Sequence, residues 1–524
     1  MDRATVHRRR WQILTVLSLC LIIIGMDNLI IAMALPRIQA DLHAGTGDLQ
    51  WTVDAYSVLF GGLLLLSGGL GDRYGRKLML LLGLAGFLGF SLAAALSTSV
   101  GMLIGFRALM GLSAALIMPA TLAIIKDVFP AEEQTRAVAI WTTAAGLGVP
   151  LGPLVGGLLL DHFWWGSIFL INVPVVGLTL IAGLVLIPES RDERHPGLDL
   201  GGALLSVAGL VAIVYGLVEG PKYGWGAFQS VGIIAIGVVL MVAFAVWELR
   251  VSDPMLDIKL FRDPRFGGSA LSIICVGFAL FGALFMLTQY FQFVRAYEPL
   301  SAGIRLLAVC ALIVTAGASP QLVQRIGLKF TIALGLAIIA VGSFVLSTAT
   351  ADSDVRAMIS LGLVGFGMGL VMPTAADAIL TATPAHQSGS GSAVTDTSMQ
   401  VGGALGIAVL GSVLTTEYHR ALPDLGSLSA TQAAAVRSSV GEAAPVAAQL
   451  GGAGRSLLAA ADHAFVVGIS DATLISTVFA GVGALVVAII MPNRTTPLAL
   501  DPAGPAGGAG AAPSAVSSVE HDKV

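Results

Sequence analysis

The sequence predicts an all-α membrane protein: fourteen transmembrane helices arranged 6+2+6, with the two six-helix halves related by a pseudo-two-fold axis. Three observations predict it. Charge is scarce: 11% of the 524 residues are Asp, Glu, Lys or Arg, while 56% are hydrophobic and the mean hydropathy is +0.87. An ordinary soluble domain carries about 25% charged residues and needs them to cover its surface. Apolar runs of about 20 residues, the length that crosses a bilayer, recur along the chain. Finally, a pattern in the first part of the chain returns in the second at a fixed offset. A soluble enzyme, a nucleic-acid binder and a disordered scaffold are excluded at this level. The formal net charge is -4, and no basic stripe exists to neutralise a run of phosphates.

The spans fall at 11–36, 49–71, 78–98, 102–122, 137–160 and 167–187, then 200–218 and 230–249, then 268–292, 301–322, 330–350, 356–380, 389–414 and 465–491. The basic residues orient them. With the N-terminus inside, nineteen of the 28 Lys and Arg lie in cytoplasmic segments and seven outside, while Arg107 and Arg305 fall within spans. Both termini are therefore expected in the cytoplasm, with the chain multi-pass in a plasma (inner) membrane. The first span is too long for a cleaved signal peptide and contains Asp27, so it reads as a retained helix.

The repeat supplies the domain organisation. Gly111–Pro119 (GLSAALIMP) matches Gly365–Pro373 (GFGMGLVMP) at an offset of 254. Pro130 and Pro384, Gly148 and Gly402, Gly152 and Gly406, and Gly157 and Gly411 keep that offset. Near 252, residues 70–77 match 322–329 in Leu, Arg, Gly and Lys. The parse is an N-terminal bundle over 1–190, an inserted two-helix linker over 191–263, and a C-terminal bundle over 264–492 containing an external loop at 415–464. A disordered cytoplasmic tail over 493–524, rich in Ala, Gly, Pro and Ser, completes it. Two related six-helix bundles are the architecture of many secondary transporters, whose substrate site lies at the midplane between them.

Several motifs carry a family resemblance. Gly68 to Lys77 (GGLGDRYGRK) resembles the GxLxDRxGRK loop of the major facilitator superfamily, and Leu103-xxx-Arg107-xx-Gly111 resembles its fourth-helix motif. Gly148-xxx-Gly152-Pro153-xx-Gly156-Gly157 resembles the fifth-helix antiporter motif. Asp27-Asn28 before Ala34-Leu35-Pro36, Trp51-xx-Asp54-Ala55-Tyr56, and Phe169-Leu170-Ile171-Asn172-Val173-Pro174 resemble the fourteen-span drug:proton antiporters. Two departures stand out: Trp165-Gly166-Ser167 replaces the WRW of many relatives, and Gln324 stands where the first loop has Asp72. The resemblance implies the major facilitator fold, and a gating role for Asp72, Arg73, Gly75 and Arg76 together with Gly148, Gly152 and Pro153. Gly75 suits a turn with φ above zero, and the small residues of 148–157 let helices approach closely.

Ionisable residues inside spans are costly and are functional candidates. Asp27 lies ~13 Å from the outer end of its span, Asp54 ~7 Å and Arg107 ~9 Å. These three are expected to couple protons, with Arg107 tuning Asp27, and Asp27 doubling as a site for a cationic substrate. Asp377 and Asp396 have Ala123 and Thr142 as repeat partners, so the shared fold does not require them, and they join the proton-coupling set. Tyr56, Gln289, Tyr290 and Phe293 are candidate substrate contacts, since aromatic rings stack on flat cations. Cys20, Cys275 and Cys310 sit in apolar runs without CxxC spacing. Residues 71–77 have the wrong spacing for a P-loop. No metal and no cofactor are expected.

The reading is a proton-coupled exporter of bulky hydrophobic, often cationic drugs, working as a monomer by alternating access. Its partners are lipophilic cations or antibiotics, protons and the bilayer. The alternatives are a dedicated exporter of one endogenous metabolite, antibiotic or lipid, and a polytopic membrane enzyme. The enzyme would need convergent His, acidic or Ser groups that the sequence does not display.

Overall fold

The computed structural model describes residues 3–190, 199–251, 254–383, 388–426, 428–451 and 454–492. The tail at 493–524, the start of the linker at 191–198, and Pro384 lie outside the described residues. Long helices stand at all fourteen expected positions. The N-terminal half comprises α1 (Arg3–Leu42), α2 (Thr46–Tyr74), α3 (Arg76–Ala95), α4 (Val100–Val128), α5 (Ala131–His162) and α6 (Ser167–Leu186). The linker pair is α7 (Leu200–Val218) and α8 (Phe228–Glu248). The C-terminal half comprises α9 (Pro264–Val294), α10 (Pro299–Ala316), α11 (Leu328–Ser347), α12 (Val355–Ala382), α13 (Ser388–Ala421) and α14 (Gly454–Ile490). Among the described residues, thirteen of these helices are long and apolar enough to cross a membrane by length and composition, and α5 runs for 32 residues. The external segment between α13 and α14 folds into two short helices, Ala430–Ser438 and Val440–Gln449.

Local chemistry sets several boundaries. Ser99 opens α4 by accepting from Met102 N, and Asp263 opens α9 by accepting from Arg265 N, with Pro264 following it. Such oxygens satisfy amides that a helix start leaves unpaired. Gly75 separates α2 from α3 at φ 118°, and its repeat partner Gly327 precedes α11 at φ 89°. Side-chain-bearing residues avoid that region, so both turns demand glycine.

The repeat is visible as repeated packing. A Cβ on Gly111 would overlap Tyr56 O, and one on Gly365 would overlap Val309 O in the same way. Thus α4 presses on α2 as α12 presses on α10. Gly152 of α5 sits on Met26 O of α1, and Gly406 of α13 sits on Phe278 O of α9. Close backbone approach through small residues is how membrane helices gain packing when lipid offers no hydrophobic drive. The repeated spacing read from the sequence is therefore a spacing of helix contacts.

The halves meet along two seams, α2 with α13 and α5 with α10. In the first, Gln50 Nε2 donates to Ile407 O at 3.0 Å and Thr397 Oγ1 to Gly61 O at 3.3 Å. In the second, Leu300 N donates to Asp161 Oδ1 at 3.3 Å, and Gly303 lies against Pro153 O. The inserted helix α7 covers the back of the first seam: Val58, Leu210, Val214, Val218, Ala404 and Ala408 form one apolar cluster there. The end of the bundle that carries 415–464 is called here the loop end, and the opposite end, with Arg10 and Arg76, the basic end. The bonds that Asn28, Thr46, Gln50, Gln292, Leu300 and Thr397 make between the halves all lie between Gly61 and the loop end.

Candidate functional site

The site is a charge pair enclosed by α1, α2, α4 and α6. Asp27 and Arg107 are both fully buried. Arg107 Nη1 donates to Asp27 Oδ2 at 2.5 Å, and Arg107 Nε donates to Thr52 O at 3.1 Å. The guanidinium lies 4.4 Å from the centre of the Tyr56 ring. Asn172 Nδ2 donates to Asp27 Oδ1 at 2.8 Å and also reaches Ser91 Oγ at 3.1 Å. Helix α6 breaks between Leu170 and Asn172, which puts Asn172 at the start of its second piece. Each carboxylate oxygen of Asp27 thus has one donor. Arg107 Nη2, Tyr56 Oη and Asn172 Oδ1 are buried without partners. A charge taken out of water is tolerable only when paired and hydrogen-bonded, and this pair is both.

Proton transfer is the chemistry such a group can perform. A proton on Asp27 cancels its attraction for Arg107 and weakens the tie between α1 and α4. Arg107 would keep only the Thr52 carbonyl and the Tyr56 ring.

The loop expected to gate closes the basic end of the N-terminal half. Arg76 bonds Asp72 Oδ1 through Nε at 3.0 Å and through Nη2 at 2.8 Å, and its Nη1 pairs with Asp127 at the end of α4. Its backbone N donates to Ser190 O at 2.8 Å. The bridge runs through Arg76, whereas Arg73 is exposed with its guanidinium 5.6 Å from the Tyr74 ring. Asp127 was not foreseen, although its place beside Lys126 at a helix end was a visible signal. Arg10 Nε, on α1, pairs with Glu133 Oε2 of α5 at 2.7 Å nearby.

The other candidates scatter. Asp54 is fully buried on α2 but outside the charge pair, and neither of its oxygens has a partner. Asp396 is half-buried on α13 and Asp377 is exposed on α12. Tyr56 joins the charge pair. Tyr290 instead ties α9 to the turn before α12, its hydroxyl donating to Thr350 O at 2.7 Å and reaching Ser353 O at 3.0 Å. Gln289 Nε2 turns to Phe285 O within its own helix, and Phe293 packs under Gly441 of the second external helix. Sequence reasoning missed Asn172 and Gln400 as site groups. Asn28 Nδ2 donates to Gln400 Oε1 at 3.3 Å, a buried amide link between α1 and α13.

The external helices cap the loop end. Thr46 Oγ1 donates to Ser438 O at 2.9 Å, and Gln292 Nε2 donates to Met33 O at 3.0 Å beneath them. Arg305 Nε pairs with Asp354 Oδ2 at 2.8 Å and its guanidinium stacks 3.7 Å from the Tyr297 ring. The Arg305 hydrogen bond holds the Asp354 carboxyl below the usual carboxylate range.

Two repeat-related helical halves, one of them enclosing a buried charge pair, are the build of a membrane carrier. The comparisons agree. The family model of the Major Facilitator Superfamily matches residues 17–407. The multidrug efflux pump LfrA of Mycolicibacterium smegmatis is 35% identical over 485 residues, 92% of this chain and 96% of that protein. The tetracenomycin C resistance and export protein of Streptomyces glaucescens is 34% identical over 420 residues, 79% of this chain and 78% of the relative. Among solved structures, a bacterial homologue of the lysosomal transporter Spinster, in an inward-facing and unoccupied conformation, aligns with a TM-score of 0.63 at 16% identity, covering 91% of this chain and 97% of that one. The chain belongs to the Major Facilitator Superfamily.

Proposed function

We propose that this protein exports bulky hydrophobic, often cationic drugs across the plasma membrane by alternating access, driven by proton entry. The observation that carries the reading is the buried Asp27–Arg107–Asn172 group within a chain whose relatives are named as efflux pumps and resistance exporters. The basic end faces the cytoplasm, following the excess of Lys and Arg there. The halves meet toward the loop end, so this conformation is closed to the outside. Asp27 takes up and releases the coupled proton, and Arg107 sets how readily it does so. Asp54, Asp396 and Asp377 complete the proton path. The Asp72–Arg76–Asp127 bridge, together with Gly148, Gly152 and Pro153, governs the change of state. Tyr56, Gln289, Tyr290 and Phe293 face the substrate when the halves part. The protein works as a monomer and performs no covalent chemistry.

The test is a reconstituted vesicle assay. A pH gradient is imposed, uptake of a fluorescent lipophilic cation is followed, and the run is repeated with Asp27→Asn. Gradient-driven uptake in wild type and its loss in the variant are expected. Flux independent of the gradient in wild type overturns proton coupling, and unchanged coupling in Asp27→Asn removes that residue from its role.

One observation favours a second reading, a dedicated exporter of a single compound. Both oxygens of Asp27 are already committed to Arg107 and Asn172, so no spare carboxylate awaits a cation in this state. The streptomycete relatives named for tetracenomycin C, puromycin and methylenomycin A fit that reading too. A panel of unrelated compounds separates the two, since a dedicated exporter moves few of them.

A further inference from the structure

We infer that Asp54 is a positioning residue of the transport cycle, and that a proton on it licenses closure of the α2–α13 seam at the loop end. The inference rests on the proposed proton-coupled cycle and gives one carboxylate a separate task within it.

The geometry sets Asp54 apart from the charge pair. Thr52 and Tyr56 turn toward Arg107. Gln50, Val58 and Gly61 lie on another stripe of α2. Gln50 bonds Ile407 O, Val58 packs with Ala404, Ala408, Leu210 and Val214, and Gly61 lies 3.0 Å from Gln400 Cβ as measured from an added Cβ. Asp54 stands one helical turn from Gln50 and one from Val58, so it shares that stripe. It is fully buried and neither carboxylate oxygen has a donor.

The charged groups on every neighbouring element lie elsewhere. On α13 between 393 and 416 the sole titratable residue is Asp396, ~12 Å along the helix from Ala404 toward the basic end. Helix α7 carries no charged residue from Leu200 to Val218. Arg107 of α4 and Asp27 of α1 bond each other across α2, and Arg76 and Lys77 of α3 lie at the basic end. On α2 itself, Asp48 caps the helix start by accepting from Gly45 N. An ionised carboxylate in the place of Asp54 is uncompensated and strongly unfavourable. The closed seam therefore holds Asp54 as the neutral acid.

The repeat shows that the seam itself does not need an acid. Gln50 meets Ile407 O in one seam, and Gly303 meets Pro153 O in the other. Ile407 and Pro153 are 254 residues apart, so Gln50 answers to Gly303, an offset of 253. Tyr56 and Val309, each under its own glycine, keep the same 253. Asp54 then answers to Leu307. The α5–α10 seam closes on a leucine where the α2–α13 seam closes on a carboxyl group. When the loop end opens, Asp54 meets water and ionises, and it cannot be reburied until it regains a proton. Closure thus takes up a proton, and by linkage acid favours the closed state.

The test uses the full chain in lipid nanodiscs, with spin labels at the exposed loop-end positions His43, just before α2, and Arg420, at the end of α13, one in each half. Pulsed electron–electron distance measurements give the closed fraction across a pH series. Wild type should shift toward the short distance as pH falls, with the open-to-closed ratio changing up to ~10-fold per pH unit within the titration. Asp54→Asn should hold the short distance at every pH, and Asp54→Glu should restore the response. Asp54→Leu, which copies the other seam, should behave as Asp54→Asn and serves if the amide misfolds. A wild-type distance independent of pH overturns the inference, as does an Asp54→Asn variant that keeps the wild-type pH response. The readout involves no drug and no gradient. A protein that shows this response but fails the vesicle assay would refute drug antiport and leave the seam latch standing.

Discussion

Removing one partner of the Asp27–Arg107 pair should cost far more than removing both. In Arg107→Met the Asp27 carboxylate stays fully buried with Asn172 as its one remaining donor at 2.8 Å. Breaking a buried pair in this way costs about 3–5 kcal/mol, because the orphaned charge has no water to return to. In Asp27→Asn the guanidinium keeps the Thr52 carbonyl and the face of Tyr56. A desolvated cation–π contact is worth about 2 kcal/mol, so this variant should lose less. In the double variant no charge remains, and the introduced thioether would sit against the Tyr56 ring. Replacing a buried pair by apolar groups is often neutral or stabilising. The coupling energy, read as the departure from additivity, should then be at least the ~3–5 kcal/mol of the Arg107→Met variant, since the double variant recovers that loss. Equilibrium denaturation in mixed micelles of the four proteins measures it. Strict additivity would refute the reasoning, because it would mean that Asp27 and Arg107 do not sense each other. The same double variant should fold yet fail to couple transport to a pH gradient, which separates the stability of the pair from its task.

Three further outcomes are expected. Gly111→Ala and Gly365→Ala should each destabilise by roughly 1–3 kcal/mol, since the added methyl overlaps a backbone oxygen in both places and a carbonyl cannot rotate aside. Thermal unfolding should show the two losses to be alike, and a tolerated alanine at either place would contradict the paired packing. Gly75→Ala should cost about 1–3 kcal/mol of backbone strain at φ 118°, while Arg76→Ala should cost ~1 kcal/mol or less because its bridge is partly exposed. Vesicle transport should nevertheless fall in both, whereas Arg73→Ala should transport normally. Asp354 has its carboxyl held low by Arg305, so its contribution to stability is present above the ordinary carboxylate range and is lost as pH falls through its own lower value. Unfolding midpoints of wild type and Asp354→Asn should therefore differ at neutral pH and converge in strong acid.

Much of the fold was legible because lipid imposes simple rules. Every span had to be a continuous apolar run, and all fourteen predicted runs overlap observed helices. The glycine repeat was legible as well, since a residue type chosen for close approach keeps its spacing when a bundle is duplicated. The site was half legible. Charge inside a span is rare enough that Asp27, Asp54 and Arg107 stood out at once. The meeting of Arg107 with Asp27 was legible, but the exclusion of Asp54 from it was not, because depth along a helix says nothing about azimuth. Asp54 and Arg107 lie at similar depth, yet they occupy different faces of the α2 surroundings. Asn172 was quoted in the 169–174 motif but not named as a site group, because a neutral amide carries no such signal, and Arg76 rather than Arg73 makes the loop bridge because it lies beyond the Gly75 turn, at the start of the next helix. The linker pair gave no hint of its place from pattern alone. Its position behind the α2–α13 seam follows from small residues there: Gly62 faces Val207, and Ser206 Oγ reaches Gly62 O at 3.4 Å.

The comparison of the two halves separates what builds this protein from what it uses. Where the halves agree, the matched residues are glycines and prolines that place helix against helix: Gly111 with Gly365, Gly152 with Gly406, Pro119 with Pro373. Where they disagree, three buried ionisable groups belong to the N-terminal half. Met26 and Phe278 present their carbonyls to equivalent glycines, which makes Ala279 the counterpart of Asp27. Gly111 and Gly365 make Leu361 the counterpart of Arg107, and Asp54 answers to Leu307. Each charge thus replaces an apolar residue at a position whose packing the other half achieves without it. Fold stability is a poor reason for three such replacements, because exchanging a buried ion pair for well-packed apolar residues is often neutral or stabilising. The N-terminal half thus adds the buried charge pair and the seam carboxyl to packing that the C-terminal half achieves without them, and Asp377 and Asp396, opposite Ala123 and Thr142, are the C-terminal half's own additions. Substituting the N-terminal charges by their counterparts, Asp27→Ala with Arg107→Leu and Asp54→Leu together, should give a folded protein of undiminished thermal stability. A pH gradient should no longer move its substrates. If that triple variant instead fails to fold, the charges belong to the architecture.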